Sequence, residues 1–232
     1  FSRLSVYSRL VVIITTVLIF GGAGVFAALE WNNPGTLGPM DWGDKVLNAF
    51  FQSTTARTAG WTSINQANLT DGAKVATMVL MFVGACPAST GGGVKTTTIF
   101  FMIMLFASVF RGRDEVVVGK ETINTRTIKR AAVVTTACFL GSFAQALIIW
   151  ATEAAYGVQL SVIDSMYEAF SAFGTVGVSA GLTTSLHTPA LITLCFSMFI
   201  GRLGPLTIGT ALLNTKKQSA NIKYPDAKIL IG

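Results

Sequence analysis

The chain has 232 residues, of which 51% are hydrophobic and only 12% charged, against roughly 25% charge in an ordinary soluble domain. Such a chain cannot cover its own surface with polar groups, and its 16 Phe and 4 Trp exclude disorder. A net charge of +6, carried by 17 basic residues scattered among long apolar runs, is too thin for the clustered basic face of a nucleic-acid binder, so no nucleic acid is expected and a membrane is the fitting solvent. The isolated cysteines Cys86, Cys138 and Cys195 read as small buried hydrophobes rather than metal or disulfide ligands. A start at Phe1, with no signal peptide ahead of it, reads as a piece of a longer protein.

A crossing helix needs about 20 apolar residues. Residues 10–29 qualify, lying uncharged between Arg9 and Glu30. Residues 41–55 are apolar on one face but too short to cross, and predict a re-entrant helix capped by Asp41. The small-residue stretch 57–61 follows, containing Thr58, Ala59, Gly60 and Trp61. Residues 70–110 open at Thr70, a capping residue, and are too long for one crossing. They are broken by Gly84, Pro87 and the run Gly91, Gly92, Gly93, which no continuous helix tolerates cheaply. Residues 127–153 predict another crossing and 164–173 a second short helix capped by Asp164. After the second small-residue stretch, 174–178, residues 189–214 predict a last crossing opened by Thr188 and Pro189. A tail, 215–232, completes the chain.

The chain repeats itself at an offset of 117: Thr58 maps to Thr175, Gly60 to Gly177, Leu69 to Leu186, Ala73 to Ala190, Met81 to Met198, Phe82 to Phe199 and Gly84 to Gly201. Two units of helix, short helix and helix are therefore expected, at 1–115 and 116–232. The expected fold is all-α and membrane-integral. Each short helix entering from outside points its negative end toward the membrane centre. The glycine after it lets successive carbonyls turn toward an ion and replace its hydration shell. Those carbonyls belong to Thr58, Ala59, Gly60 and Trp61 in one unit and to Thr175, Val176, Gly177 and Val178 in the other.

Charge predicts orientation. Arg3, Arg9, the six basic residues of 111–130 and four in the tail lie on one side, while Glu30, Asp41, Asp44, Asp71, Glu153, Asp164 and Glu168 lie on the other. Both ends are then cytoplasmic, with four crossings and an acidic outer face. Lys95 and Arg202 fall inside apolar runs, where a cation marks function, although Lys95 is close enough to the inner end to snorkel. Arg57, beside an ion-binding stretch, is expected to face away and pair with an outer acid such as Asp44 or Glu168. His187 reads as a turn residue. The sequon at Asn68 reads as a helix start capped by Thr70. A solute transporter with broken helices would share several of these features. An intramembrane hydrolase using Ser89 and His187 fails because the two fall on opposite sides, so no enzyme is expected.

The segments at 53–61, 84–98, 171–183 and 199–209 resemble the C-terminal half of KtrB/TrkH-type potassium transporters, built from four pore repeats related to potassium channels. The ending YPDAKILIG is closer to the KtrB branch. The resemblance implies potassium uptake through a filter, with K+ at the eight residues named above, and a gate at Ala88, Ser89, Thr90, Gly91, Gly92, Gly93 and Lys95 working with Arg202. It also implies two further pore repeats in an N-terminal half, a homodimer, a KtrA-like cytosolic nucleotide-binding ring and a bacterial inner membrane location. Sodium is implied as a coupling or activating ion. The basic loop and tail suit contact with that ring or with membrane lipids.

Overall fold

The computed structural model describes residues 6–87, 89, 91–112, 115–118 and 121–204. Its seven α-helices are α1 Val6–Glu30, α2 Trp42–Thr55, α3 Asp71–Phe82, α4 Thr96–Phe110, α5 Thr125–Ala155, α6 Val162–Phe173 and α7 Thr188–Leu203. A 3-10 turn, Gln66–Asn68, precedes α3. The β-structure among the described residues is a two-residue hairpin, β1 Val117–Val118 with β2 Glu121–Thr122, and one parallel bridge between Val83 and Val94.

Helices α1 and α5 are long and apolar enough to cross a membrane. Their apolar positions run round the helix, and Val12, Val17, Phe20, Val133 and Leu140 remain exposed, as suits a lipid-facing surface. At a rise of about 1.5 Å per residue, α2 and α6 reach about 20 Å, short of a layer of about 30 Å. The long stretch after Thr70 is made of α3 and α4, and the described residues between them, 83–87, 89 and 91–95, are non-helical. Thr70 caps α3 as expected, its Oγ1 accepting from Ala73 N at 3.3 Å.

Each short helix packs against the other helices of its own unit. Ala49 of α2 packs with Ala23 and Phe26 of α1 and Ala73 of α3. Ala169 and Ala172 of α6 pack with Ala146 and Ile149 of α5 and with Ala190 and Leu194 of α7. A third cluster joins the two units, seating Met78 and Met81 of α3 against Tyr167 and Phe170 of α6.

Several local expectations change. Helix α7 stops at Leu203, where Gly204 turns with φ +79°; a carbonyl-capping glycine ends a helix that hydropathy alone extends to 214. Residues 205–214 and the tail 215–232 lie outside the described residues. Helix α7 begins at Thr188, so Thr188 is its first residue and His187 occupies the cap position. Helix α6 begins two residues before Asp164, which sits in its first turn rather than at its cap. Asp41 does precede α2, but its side chain makes no capping bond. Cys138 is buried and Cys86 partly so, whereas Cys195 is exposed on α7.

Candidate functional site

Each short helix ends in a turn with the same unusual backbone. Thr58 and Thr175 are the non-glycine residues at positive φ among the described residues, at 71° and 52°, and Gly60 and Gly177 follow two positions later at 79° and 88°. A β-branched residue in the left-handed region is strained by roughly 1–2 kcal/mol, and persists only where its surroundings hold it. With Ala59 and Val176 on the ordinary side, φ alternates in sign along each turn. That alternation rotates successive peptide planes the same way, rather than to opposite sides as in a strand.

The turns are held by their amides. Ala59 N donates to Thr55 O and Trp61 N to Thr55 Oγ1; Val176 N donates to Ser171 O and Val178 N to Ser171 Oγ. Among the described residues no hydrogen bond falls on the carbonyl oxygens of Thr58, Ala59, Gly60, Thr175, Val176 or Gly177. The Trp61 carbonyl differs, accepting from the Thr55 hydroxyl. The turns meet closely: a Cβ on Gly60 would lie 2.6 Å from Val176 O. Glycine is required there by both its φ and the neighbouring backbone.

The described part of the loop between α3 and α4 lies against these turns through Gly91 and Gly92. Gly92 N donates to Thr175 Oγ1 at 2.7 Å, and a Cβ on Gly91 would meet Thr58 Oγ1 at 2.6 Å. The ammonium of Lys95 turns back into the loop, donating to the carbonyls of Gly91 and Ser89, so it braces the loop instead of snorkelling freely. Ser89 Oγ donates to Cys86 O, and Gly93 turns at φ +69°. Ala88 and Thr90 lie outside the described residues. Arg202, in the last turn of α7, is near enough to Lys95 for the two charges to interact. The preceding Gly201 carbonyl is 3.0 Å from where a Gly92 Cβ would stand. Turns, loop and Arg202 are thus one contiguous group.

Among the described residues Arg57 pairs with no outer acid. Its guanidinium lies by the Cys86 thiol, which the Thr15 hydroxyl also contacts, and its Nε is buried with no hydrogen-bond partner. Glu168 is occupied elsewhere, accepting from Ser179 Oγ, Ala180 N and Thr183 Oγ1 behind the second turn.

Other outer acids also turn inward. The Glu30 carboxylate is fully buried and accepts from Thr70 N, Thr70 Oγ1, Thr36 Oγ1 and Asn33 Nδ2. Glu153, 1% exposed, accepts from His187 N and pairs with His187 Nδ1, both at 2.8 Å. The His187 ring stacks on Tyr156 at 4.1 Å. Thr70 and His187 are 117 apart and both stand at the cap position of a third helix. Sequence reasoning placed these carboxylates on an acidic face. The available signal was a glutamate in the last turn of each first helix, Glu30 in α1 and Glu153 in α5, and partners that share the repeat offset.

Residues 4–224 match the sequence profile of TrkH, cation transport protein. The chain belongs to this family. Like other TrkH-family chains it is an integral membrane protein. It is 36% identical over 240 residues to Ktr system potassium uptake protein B of Vibrio alginolyticus, covering 100% of this chain and 50% of that relative. The protein of the same name from Bacillus subtilis (strain 168) is 36% identical over 236 residues, covering 100% and 51%. Potassium/sodium uptake protein NtpJ of Enterococcus hirae is 31% identical over 232 residues, covering 99% and 51%. The fold matches the solved potassium transporter TrkH from Vibrio parahaemolyticus with a TM-score of 0.67 at 21% identity, over 89% of this chain and 44% of that one. The chain spans about half the length of the curated relatives it matches.

Proposed function

We propose that the chain supplies two of the four pore units of a potassium uptake transporter. The observation that carries this reading is the pair of turns at 58–60 and 175–177, each with alternating φ and carbonyls left free of hydrogen bonds. A row of such carbonyls can replace the hydration shell of K+, and the C-terminal end of the short helix behind it adds roughly half a negative charge. The loop 83–95 acts as a gate beneath the turns. The contact of Gly92 N with Thr175 Oγ1, the Lys95 brace and the nearby Arg202 support that role.

The remaining pore units come from further chain of the kind the relatives contain. An open groove of about 440 Å3 beside the second turn, lined by Glu168, Ser171, Gly177, Leu194 and Met198, has room for a few side chains of a neighbouring unit. Basic residues on one side place both ends in the cytoplasm. The full transporter works as a homodimer in the bacterial inner membrane, docked on a cytosolic nucleotide-binding ring, with sodium as a coupling or activating ion. The printed name of the Enterococcus hirae relative, potassium/sodium uptake protein, is in keeping with the last point.

The test is rubidium and sodium uptake by the full-length protein in proteoliposomes. Gly60→Ser and Gly177→Ser each add a Cβ at positive φ, and at Gly60 it meets Val176 O. Both should lower rubidium uptake at least tenfold or raise the sodium-to-rubidium ratio. Uptake and selectivity unchanged in both variants would refute the filter assignment.

A further inference from the structure

Each turn is braced to its own short helix, and the two turns touch where Gly60 faces Val176 O, so how the short helices stand relative to each other bears on that contact. The seam between the units carries a buried polar chain. Tyr167 Oη of α6 donates to Gln66 Oε1 at 2.9 Å. Gln66 in turn exchanges amide hydrogen bonds with Gln52 of α2, and its Nε2 is further held by Ile64 O at 3.1 Å. All three side chains are at most 2% exposed. Beside them Lys74 of α3 donates to Asp164 of α6 at 2.6 Å.

These contacts connect helix α2, which ends in the first turn, with helix α6, which ends in the second. Gln52 lies one helical turn before the hinge at Thr55, and Tyr167 one turn before Ser171, so the chain joins the short helices near the ends that carry the turns. Buried polar groups demand defined geometry because each unpaired one is costly. Apolar packing of Met78 and Met81 against Phe170 would tolerate sliding; a hydroxyl and two amides in register do not.

We infer that Tyr167, Gln66 and Gln52 form a positioning clasp that sets the distance between the two carbonyl rows and thereby the size of ion they accept. This rests on the reading of the turns as filter strands. The clasp is specific to this seam: at the repeat offset of 117 Phe50 stands where Tyr167 does, and it has no hydroxyl and packs edge-on against Phe20 of α1.

The experiment uses the full-length protein in proteoliposomes, reading rubidium and sodium uptake and the half-saturating rubidium concentration. Tyr167→Phe removes one hydroxyl, and Gln66 Oε1 still accepts from Gln52, so no buried group is orphaned and the fold persists. The expected result is a three- to tenfold rise in the sodium-to-rubidium uptake ratio, with maximal rubidium uptake within twofold of the parent. Gln66→Leu should raise the ratio at least as far, and adding Tyr167→Phe to it should change nothing more. A ratio and half-saturation unchanged in Tyr167→Phe, with or without a lower thermal midpoint, overturns the clasp. If Gly60→Ser and Gly177→Ser alter selectivity in the same assay, that failure leaves the filter reading standing. If they do not, the filter reading itself has failed.

Discussion

Gly201 of α7 faces the end of α6 more tightly than any side chain permits. A Cβ there would stand 1.9 Å from Phe173 O and 2.8 Å from Phe173 C, both backbone atoms. Ordinary contact begins near 3.4 Å, so Gly201→Ala obliges α7 to retreat by about 1.5 Å from the helix that carries the second turn. Overpacking by one methyl costs typically 1–3 kcal/mol, and backbone on both sides puts this case near the top of that range. Alanine recovers up to about 1 kcal/mol of helix propensity, leaving a net loss of about 2 kcal/mol. At roughly 1–2 °C per kcal/mol for a protein about twice the length of this chain, the thermal midpoint of the detergent-solubilised full-length protein should fall by about 2–4 °C. Gly84, the same position in the first unit, would meet Gly92 O at 2.5 Å. Gly84→Ala should therefore cost less stability and act on the loop. A midpoint unchanged in Gly201→Ala, or the reverse ranking of the two variants, would refute the argument.

Two further outcomes follow from contacts at the ends of the site. Glu30→Ala strands the buried hydroxyl of Thr36 and leaves the partly buried donors of Asn33 and Thr70 to find water, and should cost about 2 kcal/mol. Glu153→Ala should cost less in the same melting assay, because the His187 side chain is 41% exposed and can turn to water. Thr175→Val keeps the β-branched shape but removes the acceptor for Gly92 N; basal rubidium uptake should rise at least twofold, whereas Thr175→Ser should stay near the parent. Equal uptake in the two variants would show that this bond does not hold the loop.

Much of the architecture was legible because it depends on local pattern. Apolar run length separates α1 and α5 from the short helices, and the glycines break the third stretch where α3 ends and α4 begins. The Thr-x-Gly repeat located the turns, since its glycine takes a positive φ in each of them. The end of α7 was misjudged because hydropathy continues past Gly204, and only the backbone reveals the capping turn.

Partnership is a different matter. Glu30 meets Thr70 across 40 residues, Glu153 meets His187 across 34, and Lys74 meets Asp164 across 90. An acid next to an apolar run has the same local signature whether it faces water or caps a buried helix. The direction of Arg57, toward Cys86 rather than the outer acids, likewise has no local sign. The sequence by itself determined the membrane setting, the paired units and the place of the two turns, because solvent, helix length and φ are properties of short segments. Tertiary structure alone decided which charges are buried, what holds the loop against Thr175 and how the two short helices are tied, because those depend on which segments pack together.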